Sequence, residues 1–360
     1  TREGHPDEVR TPRSGYHRTM ELLERSDELS VLDDALTAAA AGRGSMVLVS
    51  GEAGLGKTRL VTDWAAGVED RARVVWGACD DLVTPVMLGP FRDIARELGH
   101  VLANPSSPEP APPSAFYAAM LEALSDGPRP TVAVVEDVHW ADAASLDLLK
   151  FLGRRVTRLR VVVIATYRDD AVGPGHPLQL VVGDLVPDAV LRIPLLPLSA
   201  AAVARLAGTA ARPAAEVYEL TKGNPFLVTE FLAAPGPEVP ATIRDAVFGR
   251  LGRLSSEARA IAEMASVVPG RCERWLLGDD GPARRSGIAA CKGQGLLEVG
   301  PDAVWFRHEL TRRAVEDALD PALAAELHRE VATALAERTA DPARIVHHAQ
   351  QAGDVDALIT

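Results

Sequence analysis

Lysine is nearly missing from this sequence: only Lys57, Lys150, Lys222 and Lys292 stand among 38 basic residues, and the others are arginine. A lysine at a place arginine could serve is therefore more informative than in an average chain. Positive charge is in deficit as a whole, with 38 basic against 50 acidic residues for a formal net charge of −12. That balance excludes a general grip on the nucleic-acid backbone, and any DNA contact would need a locally basic face. The three cysteines, Cys79, Cys272 and Cys291, are scattered and lack metal-ligand spacing. They exclude a disulfide framework and make a reducing, cytoplasmic compartment the expectation. No run approaches the ~18 to 20 uncharged apolar residues of a membrane span, and the polar N-terminus has no apolar secretory core. The chain opens on Thr1 rather than methionine. Met20 reads as the natural start, and residues 1–19 are expected to be a disordered segment outside the fold.

What is present suffices for more than one core. At ~150 residues per domain, 360 residues point to roughly two or three domains, and 47% hydrophobic with 24% charged residues is the composition of an ordinary globular protein. Val47–Val49 is a short apolar run ending at a glycine-rich turn, with a helical pattern over Thr58–Ala66. The strand signal returns at Val74–Trp76, Val132–Val135, Val161–Ala165 and, more weakly, Leu191–Leu195. Helical stretches at Phe91–Leu98, Ala115–Leu124 and Ser145–Val156 lie between them, and the proline-rich 104–114 reads as a loop within the same unit. Continuously apolar strands separated by helices predict a parallel sheet covered on both faces, hence an α/β domain over residues 20–197.

Past Pro197 the period turns helical, at Ala200–Leu206, Ala214–Thr221, Phe226–Leu232, Ile243–Leu251 and Ser255–Ala265. A helix at Ala283–Ala290 and a hairpin, Gly295–Val299 with Ala303–Phe306, follow in the order of a winged-helix domain. The expected divisions are a helical domain at 198–238, a winged-helix domain at 239–320 and the start of TPR-like repeats at 321–360. One pair of repeat helices, Pro321–Glu337 and Pro342–Gln351, cannot bury its own faces, so the protein is expected to continue beyond Thr360.

The chemistry begins at Gly51-Glu52-Ala53-Gly54-Leu55-Gly56-Lys57-Thr58, which fits the phosphate-loop pattern and lies where that mechanism needs it, between a strand and a helix. Gly51, Gly54 and Gly56 let the backbone aim its N–H groups at phosphate, Lys57 supplies a point charge, and the Thr58 hydroxyl is placed to ligate Mg2+. Arg59, next on the helix, joins the nucleotide-binding candidates. Val132–Val135 runs into two carboxylates, Glu136 and Asp137, at a strand end. Neighbouring strand residues point apart, so one serves a metal and the other polarises a water; Glu136 is read as the metal residue and Asp137 as the water residue, with the reverse left open. Arg168, at the end of the next core strand, either senses a γ-phosphate or pairs with Asp169 or Asp170 on the surface. Gly223-Asn224-Pro225-Phe226 opens a helix in which Pro225 fits the first position. His308 begins the helix after the hairpin, a place where capping or packing is the ordinary role.

Taken together, Leu23-Glu24-Arg25, the GEAGLGKT loop, VVEDVHWAD at 134–142, the Arg168 step, GNPF at 223–226 and FRHEL at 306–310 resemble the STAND class of signalling ATPases. Within it the chain resembles the ATPase part of the large LuxR-type transcriptional regulators of bacteria. The resemblance implies a P-loop NTPase fold of the AAA+/STAND kind and ATP or ADP with Mg2+ as cofactors. It places Arg25 at the border of the adenine, Pro225 on the base, and His308 as reader of the β-phosphate of ADP. Two departures are Glu136, where the family has Asp, and the family's C-terminal DNA-binding helix-turn-helix, which these residues do not contain. The expected function is a slow ATPase used as a switch, self-associating in its ATP state. An inducer or regulatory protein would bind the repeats that follow, and DNA only the missing C-terminal domain. The alternatives are a ring-forming AAA+ remodelling ATPase, with Arg154, Arg155 or Arg158 acting in trans, and a nucleotide-binding scaffold without hydrolysis.

Overall fold

Five apolar strands, β1 (Ser45–Ser50), β2 (Arg73–Ala78), β3 (Thr131–Glu136), β4 (Val161–Tyr167) and β5 (Val190–Pro194), form one sheet in the order β2-β3-β4-β1-β5. Every pairing is parallel. The computed structural model describes residues 22–354 apart from 82–85, 100–112, 174, 186–188, 209–211, 235, 237 and 339–340. Residues 1–19 and most of the proline-rich loop thus lie outside the described residues. The strands read as unbroken Val, Ile and Leu because both faces are covered. On one face pack α1 (Ser26–Ala40) and α2 (Lys57–Ala66); on the other pack α3 (Gly89–Glu97), α4 (Pro113–Ser125), α5 (Ala143–Gly153) and α6 (Pro177–Gly183). Helix α1 has no counterpart among the sequence expectations. Its buried Leu32, Ala35, Leu36 and Ala39 keep helical spacing, but further alanines around them blur the apolar stripe.

Register decides where the strands end. Ser50 pairs with both Tyr167 and Pro194, and Ala78 with Glu136, so Gly51, Asp137 and Arg168 all leave the sheet at its carboxyl edge. Because β4 lies between β1 and β3, Arg168 emerges between the glycine-rich loop and the two carboxylates. This edge is where open parallel sheets bind ligands.

The second half contains α7 (Ala200–Ala207), α8 (Ala214–Thr221), α9 (Pro225–Ala233), α10 (Ala241–Leu251) and α11 (Ser256–Ser266). Then come β6 (Cys272–Glu273), a 3₁₀ turn at Arg274–Leu277, α12 (Pro282–Gly293), β7 (Leu297–Val299), β8 (Ala303–Phe306) and α13 (Glu309–Glu316). Helices α14 (Pro321–Glu337) and α15 (Pro342–Gln351) close the series. The three short strands are antiparallel in the order β6-β8-β7; the two residues of β6 are too few to leave a period in the sequence. Residues from Leu198 to Leu335 share one continuous core. Within this half the Gly223 carbonyl accepts from Leu198 N at 2.8 Å, tying the start of α7 to the start of α9. Gly223 has φ +74°, and a Cβ there would lie 2.0 Å from the Leu198 carbonyl oxygen, so only glycine fits.

Candidate functional site

The site starts from the turn between β1 and α2. Gly56 caps α2 in the left-handed region (φ 90°), which bends the chain so that the helix opens directly onto the loop. The amide groups of that first helical turn have no intrahelical partner and carry the positive end of the dipole, the usual seat of an anion. Lys57 is 7% exposed, and its Nζ donates to the carbonyls of Gly51 at 2.7 Å and Glu52 at 2.9 Å, folding the loop round its own cation. Burial pushes the Lys57 ammonium below the ordinary lysine range, with Asp137 pulling the other way. Thr58 is exposed beside the loop. The Arg59 guanidinium bonds Asp63 one turn along α2, at 2.5 Å.

At the end of β3, burial holds the Glu136 carboxyl above its ordinary range, a hydrogen bond with Thr58 opposes this, and Oε1 is buried with no partner among the described residues. A buried acceptor without a donor is rare, and such an oxygen suits a cation. Asp137 turns into the left-handed region (φ 53°) and donates its N–H to Thr166 Oγ1 at 3.0 Å. Its carboxyl is raised by burial and drawn back down by Lys57 and Arg168. Behind it lies His139, with Nδ1 3.8 Å from Asp137 Oδ1, both ring nitrogens buried without a hydrogen-bond partner among the described residues, and the imidazole packed at a tilt on Trp140 at 4.4 Å. Burial first, then the nearby cations, depress His139 to about 3, so the ring is neutral.

Two further elements close over the loop. Asn224 caps α9, its Oδ1 accepting from Phe226 N and Leu227 N, while its Nδ2 donates to the Ala53 carbonyl at 2.9 Å. The Phe226 N–H reaches the Gly54 carbonyl at 3.2 Å. Pro225 occupies the first turn of α9 and is half-buried. From the other side Arg307 NH1 pairs with Glu52 at 2.7 Å and NH2 with Glu298 at 2.5 Å. His308 Nε2 stands 4.0 Å from Glu52, and its Nδ1 is buried without a partner among the described residues. Burial, then Arg307 and Arg250, depress His308 to about 4, so this imidazole is also neutral. The cleft between loop and cover is lined by Glu52, Phe226, Val247, Arg250, Arg307 and His308.

Arg168 is neither on the surface nor free: its side chain is 11% exposed and chelates Asp170, with Nε to Oδ1 at 3.3 Å and NH2 to Oδ2 at 2.9 Å. The pairing weighed for it in the sequence is present, but buried. Arg25, 5% exposed, donates to the carbonyls of Leu196 at 2.7 Å and Leu55 at 3.5 Å, joining the loop to the end of β5. The loop residues, Glu136, Asp137, Arg168, Pro225 and His308 therefore gather at one sheet edge, while Arg25 braces it and Arg59 turns along its helix. Among the arginines named for action in trans, Arg155 lies over the Phe151 ring at 3.8 Å. Sequence reasoning missed Glu52, Asn224, His139 and Arg307. Only Asn224 carried a local signal, a cap residue directly before a helix-initiating proline.

Fold and loop together define a parallel-sheet P-loop NTPase. Residues 21–164, which carry the glycine-rich loop, β1 to β3 and the first part of β4, match the AAA ATPase domain family. An uncharacterised protein of Rhizobium meliloti is 24% identical over 409 residues, and the match covers 94% of this chain and 40% of that protein. Among solved structures, a STAND protein with a tetratricopeptide repeat sensor from Pyrococcus horikoshii is 18% identical, covering 93% of this chain and 48% of its own, at TM-score 0.40. A Walker-type ATPase of Pyrococcus abyssi is 13% identical over 81% of this chain and 95% of its own, at TM-score 0.49. The ORC1 protein of Aeropyrum pernix, solved with DNA, is 14% identical over 82% of this chain and 92% of its own, at TM-score 0.46. The chain thus spans less than half of the curated relative and of the STAND structure. Strand order, register and the glycine-rich loop define the fold. No helix among the described residues is long and apolar enough to cross a membrane.

Proposed function

We propose that this chain is a nucleotide-operated switch: an ATP/ADP-binding unit with slow, Mg2+-dependent ATP hydrolysis, serving as the regulatory ATPase part of a LuxR-type transcriptional regulator. The observation that carries the reading is the cover over the phosphate loop, where Asn224 and Phe226 hold Ala53 and Gly54 while Arg307 holds Glu52. Elements from far along the chain rest on the backbone that would wrap the phosphates, so bound nucleotide and the seating of those elements are coupled. A nucleotide shifts such an equilibrium only by the difference in its contacts with the two states. ADP would favour the closed arrangement, with Pro225 on the base and His308 at the β-phosphate; ATP would favour the open one.

Glu136, with its orphaned oxygen beside Thr58, is the donor set for Mg2+, a hard cation that takes few protein oxygens and keeps its waters. Asp137 is then left to polarise the attacking water, with Arg168 for the γ-phosphate and Arg25 bracing the adenine border. The succession α11, β6, 3₁₀ turn, α12, β7, β8 supports reading 239–320 as a winged-helix domain after a helical domain at 198–238, with α14 and α15 beginning the repeats. Self-association in the ATP state, an inducer or regulatory protein on those repeats, and DNA binding elsewhere in the protein belong to the same reading. Glu at position 136 favours one rival, a scaffold that binds nucleotide without cleaving it.

Calorimetric titration and single-turnover hydrolysis test the proposal. Lys57→Ala should abolish ATP and ADP binding, whereas Asp137→Ala should keep binding and stop hydrolysis. Wild-type affinity in Lys57→Ala would refute the phosphate-loop role, and binding with no turnover in the wild type would select the scaffold.

A further inference from the structure

We propose that Asp170 couples the seating of the β7–α13 segment to Arg168: while that segment rests on the loop, Asp170 withholds the Arg168 guanidinium from the nucleotide, and it lets go when the segment lifts. The inference builds on the switch reading above and names its internal regulation.

Asp170 is not an ordinary surface partner. Its side chain is 5% exposed and grips Arg168 through both oxygens, at 3.3 and 2.9 Å. Two parallel bonds fix the plane of a guanidinium as well as its place. The same Oδ2 faces the cover. Arg307 NH1 stands 3.9 Å from it, and Gly295, in the turn between α12 and β7, comes so near that a Cβ there would lie 2.5 Å from Oδ2 and 3.3 Å from Arg168 NH2. Arg307 in turn holds Glu52 of the phosphate loop at 2.7 Å. Loop, cover and Arg168 are thus joined through one carboxylate.

The charges agree with this arrangement. Burial alone would raise the Asp170 carboxyl; the bond and charge of Arg168, with Arg307 and Arg250, hold it below the ordinary range. Arg250, on α10, is a second cation from the cover side. Arg168 lies within electrostatic reach of both Lys57 and Asp137, so a guanidinium released from Asp170 has a short path to phosphates in the loop. When Gly295 and Arg307 withdraw, water reaches the Arg168–Asp170 pair. A hydrated ion pair holds its partners only weakly, so a phosphoryl group can then take the arginine.

The test is the ratio of ADP to ATP dissociation constants for the full chain, titrated in Mg2+ with wild type, Asp170→Asn, Arg168→Ala and the double variant. Asp170→Asn should raise the preference for ATP over ADP on the order of tenfold, a typical coupling between sites. In the Arg168→Ala background the same substitution should change nothing. A ratio within twofold of wild type, or a shift that persists without Arg168, overturns the relay. Arg307→Gln loosens Asp170 from the opposite side and should move the ratio the same way; if Asp170→Asn does not fold, an unchanged ratio in Arg307→Gln overturns the relay instead. Wild-type protein that binds neither nucleotide fails the switch reading itself, whereas wild type that binds both and variants that leave the ratio alone fail the relay only.

Discussion

The Glu52–Arg307 pair is the contact whose loss should be most visible. Unit charges about 4 Å apart attract by roughly 4 kcal/mol at an effective dielectric of ~20. Desolvation returns part of that, and the Glu52 carboxyl shows it: burial raises it above the ordinary range in spite of Arg307. A net coupling of about 1 to 3 kcal/mol remains. The two single substitutions should differ. Arg307→Ala strands both Glu52 and Glu298, at side-chain exposures of 29% and 34%, and an abandoned buried charge costs roughly 3 to 5 kcal/mol, less when partly wet. Glu52→Gln leaves Arg307 with Glu298 at 2.5 Å and Asp170 at 3.9 Å, and should cost less. Global melting would mix several units, so hydrogen exchange at residues 51–56 and in α13 is the better measure. At tenfold per ~1.4 kcal/mol, Arg307→Ala should speed exchange there by about 30- to 100-fold and Glu52→Gln by less than about tenfold, with the double variant well short of the sum. Equal effects of the two substitutions, or wild-type exchange at 51–56 in Arg307→Ala, would refute the claim that this pair holds the cover down.

Acid should open the same cover. His308 is neutral above pH ~6.5 whether the cleft is open or closed; as pH falls toward 4 the open form takes up a proton that the buried ring refuses. The closed form therefore loses up to about 3 kcal/mol by pH 4. Glu52, with its carboxyl raised, is protonated first in the closed form and offsets part of that loss. Exchange rates at 51–56 measured from pH 7.5 to 5, corrected for intrinsic chemistry, should rise in wild type and rise less in His308→Gln; parallel curves would count against the ring. His139 and His348, depressed to about 3 and about 4, act in the same direction on overall stability, so a melting curve should keep some acid sensitivity in that variant. Gly54→Ala places a Cβ 2.7 Å from Asn224 Oδ1 at a φ of +86°, which should lift the start of α9 at a cost of about 1 to 3 kcal/mol. Unchanged exchange protection at 224–227 would show that the α9 contact does not depend on the close approach at Gly54.

Some of this was legible from residues alone, because it depends on the chain within a few positions. The apolar runs of β1, β3 and β4 mark strands buried on both sides, and the glycines before Lys57 mark a turn that only they can make. The two carboxylates were visible as a strand end. Helix α1 was not, since alanines flatten its periodicity, and neither was β6, with two residues and no period.

Local residue order thus carries the chemistry of the loop: a glycine-rich turn, a lysine and a hydroxyl between a strand and a helix, in a spacing that backbone geometry enforces locally. The partners of that loop come from the folded arrangement. The insertion of β4 between β1 and β3 brings Arg168 out beside the carboxylates, Asp170 and not Asp169 takes its guanidinium, and Arg307 crosses from the second half to hold Glu52. Those partnerships leave no local trace. They depend on where strand order and one continuous helical core place distant segments, and on a carboxylate and a guanidinium, once buried together, having to satisfy each other.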